Sequence, residues 1–227
     1  MRSLGEQHRN NLFIYKDEYR SDPSSMHKDA KGYDPQKFLV ESRDKYFFNN
    51  KIRWSNIGYH YDWDHRCYFQ NLNSVIPPEF VELSKEVCQL IGLPRYNSES
   101  IIVNYYGEKD YMGGHLDDGE PDQENPIISF SLGLSCYFLI GTQTKRDKPW
   151  LVRLNSGDLC VMSKDSRVCY HGVPRILSDT FDIKDLTLIE SLRKEREESS
   201  ESVNMKFNCY QYLRGHRINF NFRQVMR

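Results

Sequence analysis

Side-chain type alternates strictly near the end of the chain, from His216 to Val225. Successive side chains of a β-strand point to opposite faces, so this segment predicts a strand with one apolar and one polar face. The apolar face, which predicts a core, consists of Ile218, Phe220 and Phe222. The polar face consists of Arg217, Asn219, Asn221 and Arg223. Aligned like charges gain nothing from each other, so the polar face indicates a bound anion, with a charged edge strand as the alternative.

The same period of two recurs in short segments from Ser100 onward, separated by turn sequences such as NSGD. The predicted strands are residues 100–106, 126–140, 149–154, 158–162, 167–173 and 216–225. One clear helix is predicted over residues 76–93, where Pro78 lies in the first turn and apolar residues recur at helical spacing. Many short strands and few helices predict a mainly β fold with flanking helices (α+β), arranged as a sandwich, barrel or jelly roll.

Composition excludes several classes of protein. No apolar run among the 227 residues approaches the length that spans a membrane, and a formal net charge of -1 gives no global attraction to nucleic acid. The six cysteines are scattered without a C-x-x-C pair, which argues against a zinc ribbon or a disulfide scaffold. The first twenty residues lack an apolar signal segment. We therefore expect one globular domain in a reducing, intracellular compartment.

Two local clusters could nevertheless contact nucleic acid. Residues 54–69 are rich in aromatic side chains interleaved with Arg and His, a composition that suits stacking on unpaired bases beside phosphates. The alternative is a hairpin whose rings pack on the core. The aromatic candidates for substrate binding are Trp54, Tyr59, Tyr61 and Trp63. The turn with Lys145, Arg146 and Lys148 is a solvated hairpin tip or a phosphate contact.

A His115-x-Asp117 pair carries the most specific chemistry in the chain. On an extended backbone both side chains point to one side, so they can bind a single metal ion. His60-x-Asp62 has the same spacing, and the pair alone is therefore weak evidence. A second histidine, which His171 in the segment CYHGVPR could supply, would complete a 2-His-1-carboxylate site for non-haem Fe(II).

The order His-x-Asp, a later His and a final Arg-x-Asn-x-x-x-Arg strand resembles the AlkB family of Fe(II)- and 2-oxoglutarate-dependent dioxygenases. The segments GYHYDWD, VNYY, IISFSLG, NSGDLCVMS, HGVPRIL and RINFNFRQV resemble its eukaryotic branch. The resemblance implies a double-stranded β-helix with His115, Asp117 and His171 as iron ligands. It implies that Arg217 pairs with the distal carboxylate of 2-oxoglutarate and that Tyr106 and Asn219 assist. It also implies that Asn104 and Arg223 bind the other end of 2-oxoglutarate.

The resemblance further implies a function and an organisation. The expected activity is oxidative demethylation of N-methylated nucleobases in tRNA or DNA, most often N-methyladenine, with methylcytosine as an option, using Fe(II), 2-oxoglutarate and O2. The alternatives are a protein hydroxylase or demethylase and a catalytically silent nucleic-acid-binding module. We expect a monomer in the nucleus, mitochondrion or cytoplasm. Within the one domain we expect a lead-in with a helix over 1–53, a nucleotide-recognition hairpin and scaffold helix over 54–99, and a jelly-roll core over 100–227 with a mobile insertion at about 178–206.

The chain differs from bacterial AlkB relatives at the residue expected to read the damaged base. Those relatives place an acidic residue two positions after the ligand aspartate, whereas this chain has Gly119 there and Glu120 beside it. The way in which bacterial relatives recognise the base is therefore a weaker guide to this chain than the way in which they bind the metal.

Overall fold

Two antiparallel β-sheets face each other in the computed structural model, which describes residues 13–15, 52–62, 67–93, 95–121, 123–181 and 209–226. The larger sheet has seven strands and the smaller sheet has four. This arrangement confirms the predicted mainly β architecture, a double-stranded β-helix.

The helices and strands have the following bounds. In the larger sheet they are β1 (Phe13–Tyr15), β2 (Ile52–Asp62), β3 (Cys67–Asn73), β4 (Ser100–Gly107), β6 (Ile127–Gly133), β9 (Leu159–Met162) and β11 (His216–Arg223). The strands of the smaller sheet are β5 (Met112–His115), β7 (Cys136–Ile140), β8 (Trp150–Leu154) and β10 (His171–Ile176). The spatial order is β1-β2-β4-β11-β6-β9 in the larger sheet, with β3 paired to β2, and β5-β10-β7-β8 in the smaller sheet. The helix α1 (Pro78–Leu90) follows β3, a 3₁₀ helix spans Lys164–Val168, and residues 209–215 are also helical.

The final strand β11 lies between β4 and β6 and has the predicted two faces. Its apolar face packs against α1, where the Phe80 ring lies 5.4 Å from the Phe220 ring and 5.8 Å from the Phe222 ring. Full burial of such side chains stabilises the fold by about 1.5–3 kcal/mol each. The polar face of β11 therefore turns inward, toward the smaller sheet.

Two predicted strands differ from the observed elements. The segment 126–140 divides into β6 and β7 at Gly133, which has φ +79°. A Cβ there would collide with the carbonyl oxygen of His216, so the backbones approach closely at a position suited to glycine. The segment 167–173 begins in the 3₁₀ helix, where Ser163 and Ser166 form a capping box, and becomes a strand only at His171.

Several sequence predictions concern residues that the structure does not describe or does not test. The helix expected in the lead-in, in the segment KFLVESRDKYFFN at residues 37–49, lies outside the described residues, as does most of the insertion at 178–206. The division of the chain into 1–53, 54–99 and 100–227 stays a prediction. Among the described residues, no helix combines the length and the apolar character that a membrane crossing needs.

Candidate active site

A cavity of about 410 Å³ lies between the two sheets. Its walls combine the polar face of β11 with the ends of β5 and β10. Its polar lining includes Asn104, Tyr106, His115, Asp117, His171, Arg217, Asn219, Asn221 and Arg223. The cavity therefore collects the candidate metal and cosubstrate residues from four strands and the loop after β5.

His115, Asp117 and His171 meet in this cavity. His115 ends β5, His171 begins β10, and the two residues are direct partners across these strands. Asp117 Oδ1 lies 3.7 Å from His115 Nε2, and Asp117 Oδ2 lies 3.6 Å from His171 Nε2. All three ligand atoms lie within 4.8 Å of one another, so one metal ion can contact them together.

Backbone carbonyls orient both imidazole rings. His115 Nδ1 donates to the Gly113 carbonyl over 3.0 Å, and His171 Nδ1 donates to the Cys169 carbonyl over 3.1 Å. A carbonyl can only accept, so each Nδ1 carries the proton and each Nε2 presents its lone pair to the centre of the triad. The ring nitrogens are thus arranged as metal ligands require, and the site fits Fe(II).

The protonation states also favour metal binding. Burial opposes ionisation of Asp117, but nearby positive charge, above all the Arg223 guanidinium, outweighs burial and holds the pKa of Asp117 at about 2. Burial lowers the pKa of His171, although Asp117 opposes that shift. Near neutral pH Asp117 is therefore an anion and His171 a neutral base.

Arg223 bridges the partly buried carboxylate of Asp117 and the buried carboxylate of Glu120. Its Nη2 donates to Asp117 Oδ2 over 2.8 Å, and its Nη1 donates to Glu120 Oε1 over 2.5 Å. The predicted cosubstrate residue Arg223 thus holds the triad aspartate in this structure. It also lines the cavity, so its side chain remains adjacent to any ligand bound there.

Glu120 anchors a larger buried network. Tyr68 Oη donates to Glu120 Oε1 over 2.7 Å, and Arg167 Nη2 donates to Glu120 Oε2 over 2.9 Å. Arg167 Nη1 also donates to the Asp117 carbonyl over 2.6 Å. Glu120 therefore lies within the support of the metal site, and its carboxylate is engaged by three donors rather than available for reading a base.

Arg217 lies at the other end of the polar face of β11. It is 1% exposed, and its Nη2 donates to Ser131 Oγ over 2.7 Å. Among the described residues it has no carboxylate partner, and its Nε is buried without a hydrogen-bond acceptor. A buried guanidinium with a free donor toward a cavity fits a ligand carboxylate, as 2-oxoglutarate would provide.

The remaining cosubstrate candidates surround the same space. Tyr106 pairs directly with Arg217 across β4 and β11, and Asn104 pairs with Asn219. Asn219 donates to Ser129 Oγ over 2.8 Å and to the Phe130 carbonyl over 3.1 Å. All three candidates line the cavity, although the Asn219 amide is already engaged by β6.

The predicted stacking residues occupy different environments. Tyr61 lines the cavity, and its ring packs on Tyr68 at 4.9 Å in an edge-to-face arrangement. Trp54 is 6% exposed and so contributes packing rather than an open stacking surface. Tyr59 is half-buried beside Tyr61 and Tyr68, and Trp63 lies outside the described residues.

The second His-x-Asp pair is not assembled into a metal cluster among the described side chains, which do not include Asp62. His60 is 2% exposed, and neither ring nitrogen has a hydrogen-bond partner within the described part of the chain. Burial lowers its pKa to about 4. It is a neutral interior residue.

Sequence reasoning did not identify Tyr68, Arg167, Ser129 and Ser131 as parts of the site. Alternation in the segment ISFSLG places both serines on one face and could have indicated them, once β6 was known to neighbour β11. No local pattern distinguishes Arg167 from an exposed arginine, because its role depends on residues about fifty positions away.

Comparisons with known proteins identify relatives of this chain. The profile of the 2OG-Fe(II) oxygenase superfamily matches residues 24–223. The "DNA N(6)-methyladenine demethylase ALKBH1A" of Arabidopsis thaliana is 39% identical over 77% of this chain and 49% of its own length. The "Nucleic acid dioxygenase ALKBH1" of Homo sapiens is 32% identical over 78% of this chain and 46% of its own length.

A third relative and one solved structure agree with these matches. The "tRNA demethylase abh1" of Schizosaccharomyces pombe is 37% identical over 58% of this chain and 44% of its own length. The solved structure of OsALKBH1 matches with a TM-score of 0.57 and 25% identity, over 75% of this chain and 77% of that one. The chain spans about half the length of the curated relatives that it matches.

Proposed function

Because this chain belongs to the 2OG-Fe(II) oxygenase superfamily and, within it, to the AlkB family, we propose that it is an oxidative demethylase of N-methylated nucleobases in nucleic acid. The cofactors of this family are Fe(II), 2-oxoglutarate and O2. The observation that carries the proposal is one cavity that holds both the His115, Asp117 and His171 triad and the buried Arg217, which has no carboxylate partner among the described residues.

Each group in the cavity has a distinct task in this proposal. His115, Asp117 and His171 hold the metal through two Nε2 atoms and one carboxylate, which leaves coordination positions for ligands. Arg217 binds the distal carboxylate of 2-oxoglutarate, and its buried position excludes water from that pair. Arg223 keeps Asp117 oriented and ionised.

Held by His115, Asp117, His171 and Arg217, Fe(II) and 2-oxoglutarate would supply the oxidising chemistry for the N-methyl carbon. One oxygen atom of O2 would end in the succinate formed, with loss of CO2, from 2-oxoglutarate, and the other would end in formaldehyde released from the methyl group while a proton returns to the nitrogen. No protein nucleophile takes part, so the protein contributes position, charge and exclusion of water.

The proposed substrate class draws support from the named relatives and from the cavity. The relatives are named as demethylases of DNA or tRNA or as a nucleic acid dioxygenase. A methyl group on a base edge reaches a buried metal only when the base leaves its stack. Tyr61 lines the cavity and provides an aromatic ring beside such a base. A monomeric state and a location in the nucleus, mitochondrion or cytoplasm stay predictions.

The decisive experiment measures methyl loss by mass spectrometry from methylated tRNA, methylated single-stranded DNA and methylated histone-like peptides. Reactions run with and without Fe(II) and 2-oxoglutarate, and Asp117→Ala serves as the inactive control. Loss from a nucleic acid that requires both cofactors and Asp117 supports the proposal and identifies the base. Loss from the peptides alone would replace it with a protein-directed oxygenase, and 2-oxoglutarate binding without turnover of any substrate would favour a silent binding module.

A further inference from the structure

A row of paired residues crosses the smaller sheet from the metal site to β8, the outer strand of this sheet in the described part of the chain. His115 pairs with His171, His171 pairs with Ile140, and Ile140 pairs with Trp150. Residues directly opposite each other in an antiparallel sheet point to the same face. Trp150 therefore points to the face that carries the metal ligands, on a strand about 10 Å from that of His171.

Side chains on one face of β8 become more exposed toward the end of the strand that lies in this row. Leu154 lines the cavity and is 7% exposed, Val152 is 41% exposed, and Trp150 is 65% exposed. These three residues share one face of β8 because they alternate along it. Trp150 is thus an exposed aromatic ring at the edge of the cleft, at the end where the metal ligands lie.

The turn between β7 and β8 lies beside the same end of the cleft. Tyr170 N–H donates to the Thr142 carbonyl and Gly141 N–H donates to the Tyr170 carbonyl, each over 2.8 Å. Lys145 Nζ lies 5.0 Å from the centre of the Tyr170 ring, in a cation–π arrangement. These contacts hold the turn next to His171, which follows Tyr170 in the chain.

The turn presents more positive than negative charge. Lys145, Arg146 and Lys148 are exposed, and within the described part of the chain none has a carboxylate partner. The acidic residue of the turn, Asp147, accepts a hydrogen bond from Thr142 Oγ1 over 2.6 Å and so supports the loop. The cations remain available to an anion outside the protein.

We propose that Trp150, Lys145, Arg146 and Lys148, here called the basic rim, bind the nucleic acid strand next to the nucleotide that enters the cleft. The Trp150 ring stacks on a neighbouring unpaired base, and the three cations contact phosphates on either side of it. Charge complementarity selects this partner, because the whole chain has a net charge of only -1 and the rim concentrates positive charge beside the cavity. This inference rests on the proposed function, since it names a second contact of the same substrate.

The test measures binding of an unmethylated, fluorescently labelled single-stranded oligonucleotide by anisotropy, at several salt concentrations. The variants are Trp150→Ala and the triple change Lys145→Gln, Arg146→Gln and Lys148→Gln. Trp150→Ala removes the ring on which one base stacks. The affinity of this variant for the oligonucleotide should therefore be roughly 5- to 150-fold weaker. The triple variant should reduce the slope of log affinity against log salt by about 0.7 for each phosphate that the protein no longer neutralises.

Matched controls change the same residue types elsewhere. Tyr111→Ala removes a ring that is 67% exposed and that directly precedes β5, opposite the end of the strand where His115 lies. The second control changes the exposed cations Lys85, Lys109 and Arg175 to Gln, which alters net charge by the same amount. Both controls should bind the strand and turn over methylated oligonucleotide as the original protein does.

A kinetic comparison separates the rim from the reaction centre. The substitutions in the rim should raise the KM for a methylated oligonucleotide more than the KM for a methylated mononucleotide, which is too short to reach the rim.

The possible outcomes distinguish the rim from the proposed reaction. Strand binding that depends on the rim, without any demethylation, would support the rim and reject the proposed reaction. If the original protein demethylates the oligonucleotide but the rim variants bind it as tightly as the control variants do, the rim is rejected and the proposed reaction stands. Conversion of a dimer to a monomer by Trp150→Ala, with unchanged strand affinity in sedimentation and anisotropy measurements, would assign the surface to a second copy and overturn the inference.

Discussion

Arg223 Nη2 donates to Asp117 Oδ2 over 2.8 Å, although Asp117 is also the carboxylate of the candidate metal triad. The second Arg223 donor, Nη1, is held by Glu120. A planar guanidinium bound at both ends cannot rotate freely, so it fixes the Asp117 carboxylate in one orientation. Orientation of the ligand aspartate therefore depends on a glutamate three residues later and on an arginine more than a hundred residues away.

Replacing Arg223 with Lys should impair metal binding without abolishing it. An ammonium keeps the charge but cannot bridge both carboxylates, and loss of partners that orient a ligand typically costs 10- to 100-fold in metal affinity. Titration of the metal-free protein with a divalent ion measures the effect. Arg175→Lys, on the exposed part of β10, is the matched control and should leave affinity unchanged.

Replacing Arg217 with Gln should weaken the binding of 2-oxoglutarate rather than the binding of the metal. Removal of one member of a buried charge pair costs about 2–5 kcal/mol of binding, which is a rise in the 2-oxoglutarate KM of roughly 30-fold or more. Metal affinity should stay near its original value, because Arg217 contacts Ser131 and the Leu134 carbonyl rather than the triad. Equal losses of metal and cosubstrate affinity would mean that the change had disrupted the fold.

Alternation alone predicted the faces of β11, because the period of two is a local property of the chain. It also indicated that the polar face meets an anion, which stays a prediction for the buried Arg217 at the cavity. The pairing of Arg223 with Asp117 and Glu120 could not be read this way, because it depends on how β11 is placed beside the loop after β5. The burial of Trp54 was equally unpredictable, since aromatic residues suit both packing and stacking.

Replacing Tyr68 with Phe should destabilise the protein. The change tests the hydrogen bond that connects β3 to Glu120, beside the metal site. The change removes the hydroxyl that donates to Glu120 over 2.7 Å in a buried setting. A hydrogen bond to a charged group contributes about 1.5–3 kcal/mol. Urea unfolding should show a loss in that range. The same loss from Tyr68→Phe in a Glu120→Gln background would show that the hydroxyl does not act through Glu120.

The buried His60 should make stability fall in mild acid. Burial lowers its folded-state pKa to about 4, whereas an unfolded chain protonates histidine at about 6.5. The unfolded state therefore binds more protons between these values, and the stability that is present above pH 6.5 is lost as pH falls toward 4. Unfolding free energies at pH 7 and pH 5 should differ by about 2 kcal/mol because of this residue. In His60→Leu that part of the difference should vanish, and an unchanged difference would assign the effect to other groups.

Gly119 leaves the space that the Tyr61 ring occupies at the cavity wall. A Cβ on residue 119 would lie 2.5 Å from Tyr61 Oη and 2.8 Å from Tyr61 Cε2, so any side chain there must displace the ring. Gly119→Ala should therefore cost about 1–3 kcal/mol of stability by overpacking, and it should raise KM for the methylated strand because Tyr61 lines the cavity. The double change Gly119→Ala with Tyr61→Leu should recover part of the stability and none of the strand affinity. Unfolding curves and oligonucleotide KM values for the single and double variants test both effects. Full recovery of strand affinity in the double variant would show that the Tyr61 ring does not contact the base.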